Sequence, residues 1–166
     1  TERKYAVATT VKTQDELDKA LSEGVETIYI ESDAGVWLTV TDSGSSRVEA
    51  WGSSSVVAWG SSRVVARGSS SVVASDSSRV EAWGSSSVVA RDSSSVVARD
   101  SSRVVAWDSS RVEASKYVAI HLHSKRVNLS GDGHVIDVTD INTNEVEDFI
   151  AYHGVKVVDG DAILYK

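Results

Sequence analysis

GSSRVEAW GSSSVVAW GSSRVVAR, residues 44–67, is one eight-residue unit written three times, and nine such units follow one another from Gly44 to Ser115 without insertion or deletion. A tandem repeat of this kind buries its apolar side only by stacking on its neighbours, so the chain reads as a solenoid. Each octad runs Gly/Asp, Ser, Ser, Ser/Arg, Val, Val/Glu, Ala, Trp/Arg/Ser. The third, fifth and seventh positions hardly vary, whereas the fourth, sixth and eighth vary freely. That division has a period of two, the signature of a strand whose alternate side chains enter a shared interior. Ser, Val and Ala are expected to face in. Gly or Asp at the first position, followed by Ser, supplies the bend, because both accept turn geometry and Asp can bond its own following backbone. The expected fold class is all-β, a parallel β-solenoid (β-helix) with small α/β caps at both ends.

Two octads per coil give a flat coil of 16 residues, and three give a triangular one of 24. Val and Ala are too small to fill a triangle with sides of eight residues at protein packing density, which favours the flat coil. Sorting the outward residues by a 16-residue period separates two faces. One carries Arg47, Arg63, Arg79, Ser95 and Arg111 at the fourth position, with Glu49, Val65, Glu81, Val97 and Glu113 at the sixth. Opposite charges can pair there within and between coils. The other face carries Ser55, Ser71, Ser87 and Arg103, with Val57, Val73, Val89 and Val105, and is almost free of charge. Trp59, Trp83 and Trp107 recur every 24 residues instead. On a triangular coil they would form a tryptophan ladder, and that is the competing arrangement.

Residues 1–43 are expected to cap the N-terminal end. Tyr5 to Thr9 suit a strand, and Thr13 with Glu16 forms a capping box for a helix through Ser22 that stops at Gly24. Leu17 and Leu21, four apart, would cover the first coil. Strands at Thr27 to Glu31 and Val36 to Thr41 lead into the solenoid proper, residues 44–115. In residues 116–166 the alternation continues with larger inward residues, Val118, Ile120 and Leu122, then Val127 and Leu129 in a coarser coil. Asn142 and Glu145 offer a second capping box, opening a helix that carries Val146, Phe149 and Ile150 and stops at Gly154. Val155 to Val158 and Ala162 to Tyr165 read as a hairpin. Such caps matter because bare strand edges invite runaway association.

The 166 residues, 41% hydrophobic and 25% charged, suit one soluble domain. No stretch nears the roughly 20 apolar residues of a membrane helix, and TERKYAVATT lacks the layout of a signal peptide, so a cytoplasmic location without membrane contact is expected. Without cysteine there are no disulfides or thiolate metal sites. The net charge is −7, yet the octads carry eight Arg against four Asp and three Glu, which places the excess acid in the flanks. An acidic nucleic-acid mimic would show the reverse. A nearly neutral repeat body is also a poor phosphate surface, so no nucleic-acid partner is expected.

The order of residues in AWGSSSVV, Ala50 to Val57, resembles the octapeptide of bacterial ice-nucleation solenoids, and the likeness extends over all nine octads. It implies two octads per coil. That family's outward threonine pairs and tyrosine ladder are absent here, replaced by Ser and Val on one face and Arg and Glu on the other. The whole chain, including YHGVKVVDGDAILYK from Tyr152 to Lys166, is also similar to uncharacterised octad-repeat proteins of actinobacteria and their phages. This second resemblance implies further chain beyond Lys166 and, as a role, a phage-type protein that docks onto or inhibits a host protein.

No catalytic, metal or cofactor site is expected. His121 and His123 in HLHS share the outward side of one strand and are candidate metal ligands, but only Asp132 or Asp137 offers a third, and surface imidazoles explain them better. GDGH, Gly131 to His134, matches neither a phosphate loop nor a calcium loop in full and reads as a turn. No Ser has a positioned base, and inward serines bonded to turns account for the hydroxyls. The expected function is non-enzymatic, a scaffold for protein binding and self-association, most simply a homodimer through Ser55, Val57, Ser71, Val73, Ser87, Val89 and Val105. Trp51, Trp59, Trp83 and Trp107 join this candidate interface, because Trp and Arg are favoured in protein contacts. Their stacking on Arg67, Arg91 or Arg99 is the structural alternative. A foreign protein is the other candidate partner. The alternative function is binding of ice or another ordered surface, since a flat Ser and Val lattice of regular spacing suits a crystal face, although Arg103 interrupts it.

Overall fold

A computed structural model describes residues 7–139, together with the backbone of two later strands, 155–158 and 161–164. In chain order the first elements are β1 (Ala8–Val11), α1 (Gln14–Ser22), β2 (Thr27–Ile30) and β3 (Trp37–Val40). Each octad then contributes one four-residue strand: β4 (Arg47–Ala50), β5 (Ser55–Ala58), β6 (Arg63–Ala66), β7 (Ser71–Ala74), β8 (Arg79–Ala82), β9 (Ser87–Ala90), β10 (Ser95–Ala98), β11 (Arg103–Ala106) and β12 (Arg111–Ala114). After these come β13 (Ala119–Leu122), β14 (Asn128–Gly131) and β15 (His134–Asp137), and finally the antiparallel hairpin of β16 (Val155–Val158) and β17 (Asp161–Leu164). Alternate strands enter alternate sheets. The first sheet runs β1-β2-β4-β6-β8-β10-β12-β14 and the second β3-β5-β7-β9-β11-β13-β15, both parallel throughout.

Among the octads each residue pairs with the one 16 positions on, as Arg63 does with Arg79 and Ser55 with Ser71. The coil therefore holds two octads and is flat. The triangular arrangement is overturned, because Trp59 and Trp107 follow strands of the second sheet while Trp83 follows a strand of the first. No 24-residue tryptophan ladder exists.

The fifth and seventh positions, Val48 and Ala50 through Val112 and Ala114, are almost wholly buried in one continuous core. The third-position serines are buried beside them. At every corner the third-position amide donates to the carbonyl three residues back, as Ser54 does to Trp51. Meanwhile the second-position amide reaches the first-position carbonyl of the preceding coil, Ser69 to Gly52 and Ser93 to Asp76. All nine first-position residues sit in the left-handed region, with φ between 52° and 67°. Glycine adopts it freely; other residues pay roughly 1–2 kcal/mol, least of all Asp and Asn. Asp76, Asp92, Asp100 and Asp108 offset that strain with a second bond, each carboxylate accepting the first-position N–H one coil earlier at 2.9–3.2 Å.

Eight of the nine inward serines, Ser54 to Ser110, divide into two groups. Ser54, Ser102 and Ser110 donate their hydroxyls to the carbonyl three residues back at 2.6–2.8 Å. The hydroxyls of Ser62, Ser70, Ser78, Ser86 and Ser94, in the middle of the stack, are buried without a partner. Bonding to turns thus accounts for only part of the serine ladder.

The expected N-terminal cap is present. Thr13 accepts from the Glu16 amide while Glu16 accepts from the Thr13 amide, and α1 buries Leu17 and Ala20, with Leu21 packed against the core. Gln14 does something the sequence did not announce. Its side-chain amide accepts from the Thr39 N–H at 2.8 Å and donates to the Thr39 carbonyl at 2.9 Å, pairing with the free edge of β3 as a neighbouring strand would. The first strand lies later than expected, at Ala8–Val11 rather than ending at Thr9. At the other end Lys116–His123 stacks as though it were a tenth octad, Ala119 on Arg103, with Val118 and Ile120 buried. The offset then changes to 17, Arg111 to Asn128, and to 15, Ala119 to His134, which is the coarser coil. The helix expected from Asn142 lies outside the described residues, and the second hairpin strand begins one residue earlier than expected.

Three substitutions probe these devices by chemical denaturation. Gln14→Ala strips both partners from a half-buried strand edge and is expected to cost about 1–2 kcal/mol. Ser78→Ala removes a buried hydroxyl that bonds nothing and is expected to raise stability by up to about 1 kcal/mol, whereas Ser110→Ala, which breaks a bond, lowers it by about the same amount.

Candidate functional site

The outer surface of the second sheet assembles the expected Ser and Val face. Strand register places Ser55, Ser71, Ser87 and Arg103 in one row and Val57, Val73, Val89 and Val105 in the next. Trp37 and Thr39 extend the two rows at one end, Ala119 and His121 at the other. Neighbouring strands lie about 4.8 Å apart, so each row repeats at that interval. Ser55 is buried, and the other serines and all four valines are half-buried, because each is flanked by its equivalents.

The tryptophans are not brought together. Trp51 and Trp83 follow strands of the first sheet and share one corner row with Arg67, Arg99 and Ser115. Trp59 and Trp107 share the opposite row with Ser75, Arg91 and His123. All four remain 37–45% exposed. Trp51 is tied into a cluster, its indole N–H donating to Glu49 at 3.1 Å, its ring 5.4 Å from the Arg67 guanidinium and edge-on to Tyr29. Trp107 stacks on His123 with ring centres 4.1 Å apart. Burial and the neighbouring His121 hold the His123 imidazole below its ordinary value. His121 and His123 are thus separated in role, one in the outward row and one on a corner. Among the described residues no three His, Cys, Asp or Glu side chains converge.

The face of the first sheet holds a pattern finer than the octad. Its octads alternate RVEAW, RVVAR, RVEAW, SVVAR, RVEAS, so Glu occurs on one coil, followed by Trp51, Trp83 or Ser115, and Val with Arg on the next. The signal was present in the sequence as a 32-residue superperiod, visible only after the octads are sorted two per coil. It sets each Glu beside an arginine of an adjoining coil. Glu49 is gripped by Arg47 at 2.5 Å and by Arg67, from the next coil, at 3.1 Å, while Glu113 takes Arg99 at 3.1 Å. Among the described residues Arg63, Arg79 and Glu81 form no ion pair, so the expected lattice of paired charges is realised only in part. A groove of about 430 Å³ runs over this region, lined by Arg47, Arg63, Arg79 and Glu81 above Val65 and Val97.

Burial alone would push the Glu49 carboxyl up, but hydrogen bonds from Arg47 and Trp51 and the charge of Arg67 outweigh it and hold the group below the usual carboxylate value. A depressed carboxylate stabilises the fold above its unfolded pKa, and that contribution is lost as pH falls through the folded value. Glu49→Gln is accordingly expected to cost about 2 kcal/mol at pH 7, with the difference from the parent shrinking in denaturation curves taken below about pH 4.

Among the described residues no helix is long and apolar enough to cross a membrane. Comparisons of the chain with protein-family models, with curated proteins and with solved structures give no match.

Proposed function

We propose that the chain is a non-enzymatic interaction scaffold that self-associates through the Ser and Val face of the second sheet. The observation that carries this reading is the unbroken valine row, Val57, Val73, Val89 and Val105, set in register on a flat surface with no charge between Trp37 and Arg103. Contiguous apolar surface of this kind marks interfaces more often than bare solvent contact. A flat face meeting its own copy about a two-fold axis closes the assembly at a dimer.

Size sets the expected strength. Six strands at about 4.8 Å span about 24 Å, and a strand with its corners about 20 Å, which gives on the order of 500 Å² per partner. That is the low end for specific interfaces, so the dimer is reversible at micromolar concentrations rather than permanent.

The same alternation of hydroxyl and methyl rows favours a second reading, binding of ice or another ordered surface. Trp37 and Arg103 limit the serine row to three coils, Ser55, Ser71 and Ser87, which is why self-association is preferred. Ice grown in the presence of the chain stays unfaceted under the first reading and is shaped under the second. The direct test compares the parent with Val57→Lys plus Val89→Lys by light scattering after size exclusion over a range of concentrations. The parent mass is expected to climb towards twice the monomer while the variant, equally folded by circular dichroism, stays monomeric. A parent that remains monomeric throughout, or a variant that dimerises as well as the parent, overturns the proposal.

A further inference from the structure

In-register stacking places each charge over its equivalent, and like charges directly opposite on neighbouring strands repel. The chain avoids this almost everywhere. On the sixth-position row of the first sheet Val65 separates Glu49 from Glu81 and Val97 separates Glu81 from Glu113. On the adjoining corner Trp83 separates Arg67 from Arg99. Asp76, Asp92 and Asp108 do follow one another, but their carboxylates are bonded to backbone amides. One run is paired at its first member alone. Arg47, Arg63 and Arg79 occupy consecutive strands, and only Arg47 has a carboxylate partner among the described residues.

The surroundings of Arg63 and Arg79 are shaped as well as charged. Both line the groove over the first sheet, whose floor includes Val65, only 7% exposed, and Val97, with Ser95 at its far end. From β4 to β10 the groove crosses three strand intervals, about 14 Å, the length of about four extended residues. Glu81 on its wall makes it inhospitable to a continuous phosphate backbone.

We propose that this groove is a second interaction surface, which takes an acidic, extended segment of a foreign protein. One carboxylate of that segment is shared between Arg63 and Arg79, and an apolar side chain lies on Val65 and Val97. Planar guanidinium groups suit this task because they fork onto carboxylates with fixed geometry. The inference rests on the protein-binding reading but not on the Ser and Val face, which lies on the opposite sheet.

The test is fluorescence anisotropy with a capped, labelled pentapeptide alternating glutamate and valine. Saturable binding to the parent is expected, at least ten-fold weaker for R63S/R79S, weakening as salt rises, and unchanged in Val57→Lys plus Val89→Lys. Serine already stands in this row at Ser95, so the variant is compatible with the fold; R63Q/R79Q, which keeps the apolar stem, serves if it is not. Absence of saturable binding to the parent, equal binding by the arginine variants, or displacement of the peptide by a lower concentration of a single-stranded oligonucleotide overturns the proposal. None of these outcomes bears on dimerisation, which the light-scattering comparison decides by itself.

Discussion

Backbone hydrogen bonds between residues 16 positions apart join each coil to the next, and the rest of the molecule depends on that register. In a parallel stack a shift of one residue would send every inward side chain out and every outward one in. The repeat prevents it. Val and Ala at the fifth and seventh positions fill a thin interior only in one alignment, and a left-handed first-position residue at each corner keeps the coils the same length. Core, corner and ladder therefore specify the same register independently.

Stacking equivalents on equivalents has a cost that differs by side chain. For Val on Val it is a gain, since each methyl meets another. For a hydroxyl it depends on the neighbouring carbonyl: Ser110 finds one, while Ser62, Ser70, Ser78, Ser86 and Ser94 do not. For carboxylates it is unfavourable unless an amide intervenes, and the aspartates at the corners supply that intervention by capping the coil behind them. The change from Gly44, Gly52, Gly60 and Gly68 to Asp76, Asp92, Asp100 and Asp108 along the chain, with only Gly84 out of order, exchanges backbone freedom for a bond between coils.

The solenoid was legible because its signal is repetition. A period of two within eight residues names a strand with one face inside, and the segregation of Arg and Glu from Ser and Val favoured two octads per coil over three, which the 16-residue pairing decides. The capping box at Thr13 and Glu16 was equally plain, since its residues are local. What escaped was non-local or conditional. Gln14 has no reason to bond Thr39, 25 residues away, until the helix is laid across the open edge. The 32-residue alternation on the first sheet appears only once the two faces are known. The tryptophans misled because spacings of 24 residues are shared by two corners of a flat coil as readily as by one corner of a triangular one.

The division between inward and outward rows also explains why so regular a chain can carry two unlike surfaces. The backbone ladder and the third, fifth and seventh positions hold the fold, and none of them is exposed to solvent. Apart from Glu49, which Arg47, Arg67 and Trp51 hold in place, outward positions are therefore largely released from the work of stability, and substitution there changes recognition at little structural expense. On the second sheet that freedom has produced uniformity, a valine row beside a serine row. On the first it has produced alternation that pairs Glu49 and Glu113 with arginines while leaving Arg63 and Arg79 unmatched. A Glu at the position of Val65 would match them, but it would stand directly between Glu49 and Glu81 and be repelled by both. That the chain places a buried valine there instead sets an apolar floor beneath two free guanidinium groups, an arrangement that makes physical sense for a surface meant to be covered.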